Sequence, residues 1–101
     1  MADYLGEFEY LVLLAVGRLG DDAHGVTIRQ ALRERARRRA SYGAIYSAVR
    51  RLEEKGLLKS ELGDPSPVRG GRARKHLALT ARGKSAIHNT TTAIQRLVED
   101  K

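Results

Sequence analysis

Apolar residues recur at helical spacing through most of this chain, and the first such stretch is also the most apolar. The range Leu5 to Leu19 carries a stripe of apolar residues on one side of a helix. Leu13, Leu14 and Val16 fill much of the other side, so the predicted helix should be buried on more than one face. Gly20 is placed to end it.

Two further helices follow before the pattern changes. The second is predicted over Val26 to Ala36 and is followed by a run of arginines. Ser41 is a suitable N-cap for the third, which should reach about Lys55, with Gly56 just beyond its end. Ile45, Val49 and Leu52 form the expected core stripe of this third helix.

The second half of the chain predicts two strands and a last helix. Leu57 to Leu62 is typical of a short strand, and Lys75 to Thr80 alternates as a second strand does. Prolines and glycines between them should break regular structure. Thr80 can cap a final helix from Ala81 to about Val98.

This order of elements predicts a mainly α fold with a small β-hairpin, in the α+β class. Three helices followed by a hairpin are typical of a winged helix-turn-helix. Residues 1–80 are therefore expected to form the winged helix-turn-helix domain. Residues 81–101 are expected to form a C-terminal helix used for dimerisation.

The charge balance favours a polyanionic partner. The 101 residues carry a net charge of +7 and no cysteine, which suits one domain without disulfides. The apolar run Tyr10 to Val16 is far too short to span a membrane, and early acidic residues argue against a signal peptide. We therefore expect a cytoplasmic protein with no membrane partner.

The basic residues are segregated along the chain. Arg29 to Leu52 contains eight arginines and one acid, Glu34, while Val68 to Lys84 contains six Lys and Arg and no acid. Segregation of this kind predicts a basic face that binds double-stranded DNA.

The outer side of the third helix carries the first group of candidate DNA contacts. A recognition helix needs small, hydrogen-bonding or cationic side chains opposite its core stripe, because these approach phosphates and base edges. The candidates are Ser41, Tyr42, Gly43, Tyr46, Ser47 and Arg50. An ordinary amphipathic helix with a solvated outer face would carry similar residues.

The stretch "VRGGRARKHLALT" supplies the second group. Its paired glycines allow close approach to a phosphate backbone or a minor groove, where arginine is favoured. The candidate contacts in this predicted wing are Arg69, Arg72 and Arg74.

Three stretches resemble the PadR family of transcriptional regulators: "LGEFEYLVLLAVGRLGDDAHGVTI", "YGAIYSAVRRLEEKGLLKSELG" and "RGGRARKHLALTARG". The "LGEFE" opening and "RGGRARK" wing look most like its short-tailed, acidobacterial-type branch. The resemblance implies a bacterial homodimer that binds near-palindromic operator DNA, usually as a repressor. It makes Tyr46 the recognition-helix tyrosine and Gly43 a close-approach glycine. Val26 departs from the family pattern, which usually has an aromatic residue there.

The short tail leaves one helix after the wing, so we expect dimerisation to use that helix and the first. An apolar stripe near a chain terminus often marks a partner surface. The candidate interface residues are Leu5, Phe8, Val12, Ile87, Ile94, Leu97 and Val98. Some members of the resembled family bind small molecules between protomers, and whether an effector acts here stays open.

Other classes of function are less favoured. The three histidines are scattered and no cysteine joins them, so neither a metal nor another cofactor is expected. No nucleophile motif or phosphate-binding glycine loop indicates an enzyme. A small basic RNA-binding or ribosome-associated protein fits the composition equally well, although few aromatic residues are available for base stacking. A third alternative is a module whose arginines bind an acidic protein.

Overall fold

The computed structural model describes residues 5–65 and 73–99 as four α-helices, one short 3-10 turn and one β-hairpin. The elements are α1 (Glu7–Leu19), the 3-10 turn (Gly20–Asp22), α2 (Gly25–Arg35), α3 (Tyr42–Glu54), β1 (Leu58–Pro65), β2 (Ala73–Leu79) and α4 (Ala81–Val98). The predicted order of elements is confirmed.

The core lies where α1, α2 and α3 pack together. Val12 and Leu13 of α1 are fully buried although they lie on different sides of that helix, as its apolar pattern predicts. Ile28 from α2 and Ile45 from α3 are buried with them. This three-helix core fixes the angle at which α3 is presented to solvent.

Local sequence signals end and begin these helices where expected. Gly20 and Gly56 adopt φ of 58° and 79°, a region that glycine enters without steric cost. The Ser41 Oγ accepts a hydrogen bond from the Ala44 amide at 3.1 Å, and the Thr80 Oγ1 accepts one from the Gly83 amide at 2.9 Å. Both predicted N-caps are confirmed.

The hairpin is antiparallel and anchored to the helical core. Leu58 pairs with Leu79 and Ser60 with Leu77. The Leu77 amide also donates a 2.8 Å hydrogen bond to the Ala23 carbonyl, which joins β2 to the connection between α1 and α2. The base of the hairpin is therefore held against the start of α2.

The first strand extends further than the sequence predicted. It continues to Pro65, which we expected to interrupt it, because a register shift after Leu62 realigns the chain. In a two-stranded sheet every strand has an unpaired edge, where a residue without an amide proton is tolerated.

Three contacts fix α4 on the rest of the protein. A Cβ added to Gly83 would overlap the Leu57 carbonyl group, so glycine at this position allows α4 to pack closely on the residue before β1. Farther along α4, Thr90 is buried and its Oγ1 accepts a hydrogen bond from the Leu5 amide at 3.3 Å. The Tyr10 hydroxyl lies 2.6 Å from the Thr91 Oγ1.

Among the described residues, no helix is long and apolar enough to cross a membrane.

Candidate nucleic-acid interface

The outer face of α3 presents the predicted contact residues together. Gly43, Tyr46, Ser47 and Arg50 are exposed, and Tyr46 exposes 55% of its surface. Ser41 and Tyr42 lie exposed at the start of the same helix. The geometry therefore brings all six candidates from this part of the chain onto one end and one side of α3.

Aromatic stacking organises the N-terminal half of this face. The rings of Tyr42 and Tyr46 stack with their centroids 6.3 Å apart and an interplanar angle of 24°. The guanidinium carbon of Arg29 lies 4.5 Å from the Tyr42 ring centroid, a cation–π geometry. Arg29 also donates through Nε to the Ala40 carbonyl at 2.9 Å. These contacts connect α2 to the start of α3.

Gly25 places the Tyr46 ring, and sequence reasoning gave it no role. A Cβ at Gly25 would lie 2.8 Å from the Tyr46 Cζ, closer than van der Waals contact permits. The missing side chain thus leaves room for the ring against the start of α2. Only a contact between two helices reveals this, because Gly25 and Tyr46 are far apart in sequence.

Gly43 differs from Gly25 in its surroundings. The nearest heavy atom to a Cβ built there is the Ser41 Oγ at 3.8 Å, an ordinary contact. Packing within the protomer therefore does not require glycine at this position. The exposed backbone it leaves is available for close approach by another molecule.

Some cations on α3 and in the loop before it form ion pairs with acids of α1. Arg38 pairs with Glu7 at 2.8 Å, while Arg51 and Lys55 pair with Glu9 at 3.0 Å and 3.1 Å. Burial raises the pKa of Glu9, but its hydrogen bonds and charge interactions with Arg51 and Lys55 outweigh this and hold the pKa below its ordinary value. These pairs join α1 to α3 and to the loop before it.

Arg50 has no such partner in the described part of the chain. It is exposed beside Ser47 and Tyr46, with no acid whose side chain the structure describes within ion-pair distance. Its guanidinium group is therefore not neutralised by these residues.

The predicted wing is only partly covered by the structure. Arg69 and Arg72 lie outside the described residues, as does the Gly70–Gly71 pair. Arg74 belongs to β2, but its side chain lies outside the described part. The last described pair of the two strands is Pro65 with Ala73.

The proposed dimer residues divide into exposed and buried groups. Ile94, Leu97 and Val98 expose 45%, 88% and 75% of their surface at the end of α4. Leu5, Phe8 and Ile87 are only partly buried, packed against the core of the same protomer.

The expectation that Val12 lies at the dimer interface is corrected by the structure. Val12 is completely buried in the protomer's own core and has no surface to offer a partner. Because α1 is apolar nearly all round, its sequence did not distinguish the inner residues from the outer ones.

His76 is buried although its sequence gave no sign of it. It exposes 7% of its surface, and its Nε2 lies 3.5 Å from Glu61 and 3.6 Å from Asp21. It lies in β2 opposite Glu61 and, with Tyr46, lines a cavity between the hairpin and α3. We assign it no contact with nucleic acid.

Three helices, an anchored hairpin and an exposed group of small, aromatic and cationic side chains on the third helix define a winged helix-turn-helix DNA-binding protein. The model of the transcriptional regulator PadR-like family matches residues 12–89. The chain belongs to this family, whose members are DNA-binding transcription regulators and not enzymes.

Solved structures agree with this assignment. A PadR-like transcription factor from Bacteroides fragilis is 28% identical, with a TM-score of 0.70 over 89% of this chain and 82% of that one. A PadR family regulator from Clostridium difficile is 26% identical, with a TM-score of 0.69 over 92% and 91%. A Streptococcus transcriptional regulator is also 26% identical, with a TM-score of 0.70 over 89% and 83%. No curated protein matches the sequence.

Proposed function

We propose that this regulator is a cytoplasmic homodimeric repressor that binds near-palindromic operator DNA, and that it belongs to the short-tailed, acidobacterial-type branch. Each protomer inserts α3 into a major groove and lays its wing beside a minor groove. The observation that carries the proposal is the outer face of α3, where Tyr46 and Ser47 lie exposed beside Arg50, which forms no ion pair with a described side chain.

The contacts on this face differ in what they provide. The positive N-terminus of α3, capped by Ser41, favours a phosphate, and Gly43 lets the DNA backbone come close. Tyr46 and Ser47 donate hydrogen bonds to phosphates or base edges, and Arg50 is suited to guanine. Arg69, Arg72 and Arg74 of the wing add phosphate contacts that do not depend on sequence.

The end of α4 supports the dimer. Leu97 and Val98 are its most exposed apolar side chains, and Ile94 lies one turn before them. Pairing α4 with its counterpart in a second protomer removes these side chains from water, which stabilises the assembly by about 25 cal/mol for each Å² of apolar surface buried. Residues 81–101 then serve as the dimerisation segment.

The test is binding to the DNA upstream of the protein's own gene, with scrambled DNA and an RNA hairpin as competitors. Fluorescence anisotropy at several salt concentrations should show preference for the upstream DNA, with two protomers per site by analytical ultracentrifugation. Equal binding to all three nucleic acids would reject the operator proposal and favour the RNA-binding alternative.

Two further measurements address the dimer and repression. Leu97→Ser with Val98→Ser should shift the sedimentation of the protein toward the monomer, whereas Leu62→Ser, at another exposed leucine on the hairpin, should not. A reporter driven by the upstream DNA should be silenced by the wild-type protein. Unchanged or increased expression would contradict repression.

A further inference from the structure

Three arginines border a cleft beside α3. The DNA contacts proposed for α3 and the wing do not use this cleft. Arg29 and Arg33 come from α2, and Arg39 comes from the connection that leads into α3. With Ala40 they line a cleft of about 220 Å³. Every side chain around it except that of Ala40 is cationic, so the cleft favours an anion.

Arg29 is held in a fixed orientation at this cleft. Its Nε donates to the Ala40 carbonyl, and its guanidinium group stacks on Tyr42. A guanidinium group fixed in this way loses little additional conformational freedom when it binds a ligand, and its remaining N–H groups can donate to oxygen atoms.

Acids do not neutralise the other two arginines within the described residues. Neither Arg33 nor Arg39 forms an ion pair with an acid whose side chain the structure describes. Glu34, the acid next to Arg33, accepts a hydrogen bond from the Gln30 amide at 3.2 Å. The contrast with Arg38 is direct, because Arg38 is adjacent to Arg39 and is paired with Glu7.

We propose that Arg29, Arg33 and Arg39 bind one phosphate group, and that the DNA backbone next to the recognition helix supplies it. Guanidinium groups match phosphate oxygens in geometry and charge. The cleft adjoins Ala40, directly before the N-cap Ser41, so a bound phosphate lies just outside the face that reads the bases. This assignment of the DNA phosphate rests on the proposed DNA-binding role.

The first test is the salt dependence of binding to a random-sequence duplex about three helical turns long. Arg33→Gln with Arg39→Gln should reduce the slope of log affinity against log salt by about 0.9 for each phosphate lost per protomer. Arg35→Gln is the matched control, since Arg35 is on the same helix but borders the apolar groove between α1 and α2. Arg29 is left unchanged because it also supports α3.

The outcomes separate this proposal from the operator proposal. An unchanged slope in the double variant, while upstream DNA is still preferred over scrambled DNA, overturns the phosphate cleft alone. A reduced slope without any preference for upstream DNA supports the cleft and rejects the operator. An equal loss in Arg35→Gln shows a general charge effect and overturns the cleft.

A second measurement identifies the source of the phosphate. NMR signals from the Nε–H groups of Arg33 and Arg39 should shift on adding the duplex and remain unchanged in millimolar inorganic phosphate. Shifts with inorganic phosphate but not with duplex would overturn the DNA assignment in favour of a free anion.

Discussion

Arg50 and Arg51 are neighbours in sequence but differ in their partners. Both side chains are exposed, but Arg51 forms a 3.0 Å ion pair with Glu9 of α1, whereas Arg50 lacks an acidic partner among the described side chains. The comparison shows that net charge alone does not locate a DNA-binding surface. Some of the cations are paired with acids that join two helices, and the others are not neutralised in this way.

The largest expected effect is a loss of DNA affinity when Arg50 is replaced by alanine, with Arg51→Ala as the comparison. Arg50→Ala should weaken binding to the upstream DNA by about 1–3 kcal/mol, the usual contribution of an arginine–guanine contact. Its stability should stay within about 0.5 kcal/mol of wild type, as is usual for an exposed substitution. Anisotropy titrations and urea unfolding measure the two quantities.

Arg51→Ala is the matched control for Arg50→Ala. It should lower the free energy of unfolding, because Glu9 loses one of its two partners, and should leave preference for upstream DNA in place. If both variants lost the same affinity with the same stability, the distinction between the paired Arg51 and the unpaired Arg50 would be wrong.

A smaller effect is expected from Gly25→Ala, because Gly25 of α2 packs against the Tyr46 ring on the outer face of α3. The new methyl group must displace the Tyr46 ring, whose outer atoms can move into solvent. We expect affinity for upstream DNA to fall about tenfold, equivalent to about 1.4 kcal/mol, with little loss of stability.

Gly25→Ala should have no further effect in a Tyr46→Ala background, since the colliding ring is then absent. A double-mutant cycle of binding free energies checks this. Additive losses would show that Gly25 acts without Tyr46.

The ion pairs that join α1 to α3 are tested by Glu9→Gln. Since the folded-state pKa of Glu9 lies below its ordinary value of 4.5, the stabilisation is present above that value and is lost as pH falls through the folded pKa. The variant should therefore be about 1 kcal/mol less stable near neutral pH, with the difference vanishing in acid. Urea unfolding across this pH range measures it, and a constant difference would contradict the ion-pair explanation.

The sequence predicted those features whose causes are local. Ser41 and Thr80 cap helices within three residues of their partners, and Gly56 ends a helix through its own backbone conformation. The spacing of Ile45, Val49 and Leu52 likewise indicated which side of α3 faces outward. Each of these signals depends on residues within a few turns of one another.

Features that depend on distant contacts could not be predicted in this way. Glu9 meets Arg51 and Lys55 only after α1 packs on α3, and Thr90 meets Leu5 across almost the whole chain. Val12 was assigned to the wrong surface because α1 has no polar side to orient it. The arginine cleft likewise required the placement of the connection between α2 and α3.

The smallest expected change in stability separates two uses of glycine near α3. Gly43→Ala should stabilise the protein by about 0.5 kcal/mol, because alanine restricts the unfolded chain and nothing in the protomer obstructs its methyl group. Affinity for DNA should nevertheless decrease, since the methyl group occupies the space through which the backbone of α3 approaches the DNA. Thermal unfolding and anisotropy on the same preparation measure both effects. Higher stability with unchanged affinity would show that DNA does not come close to Gly43, and α3 would then have to enter the groove through Tyr46 and Arg50 instead of its first turn.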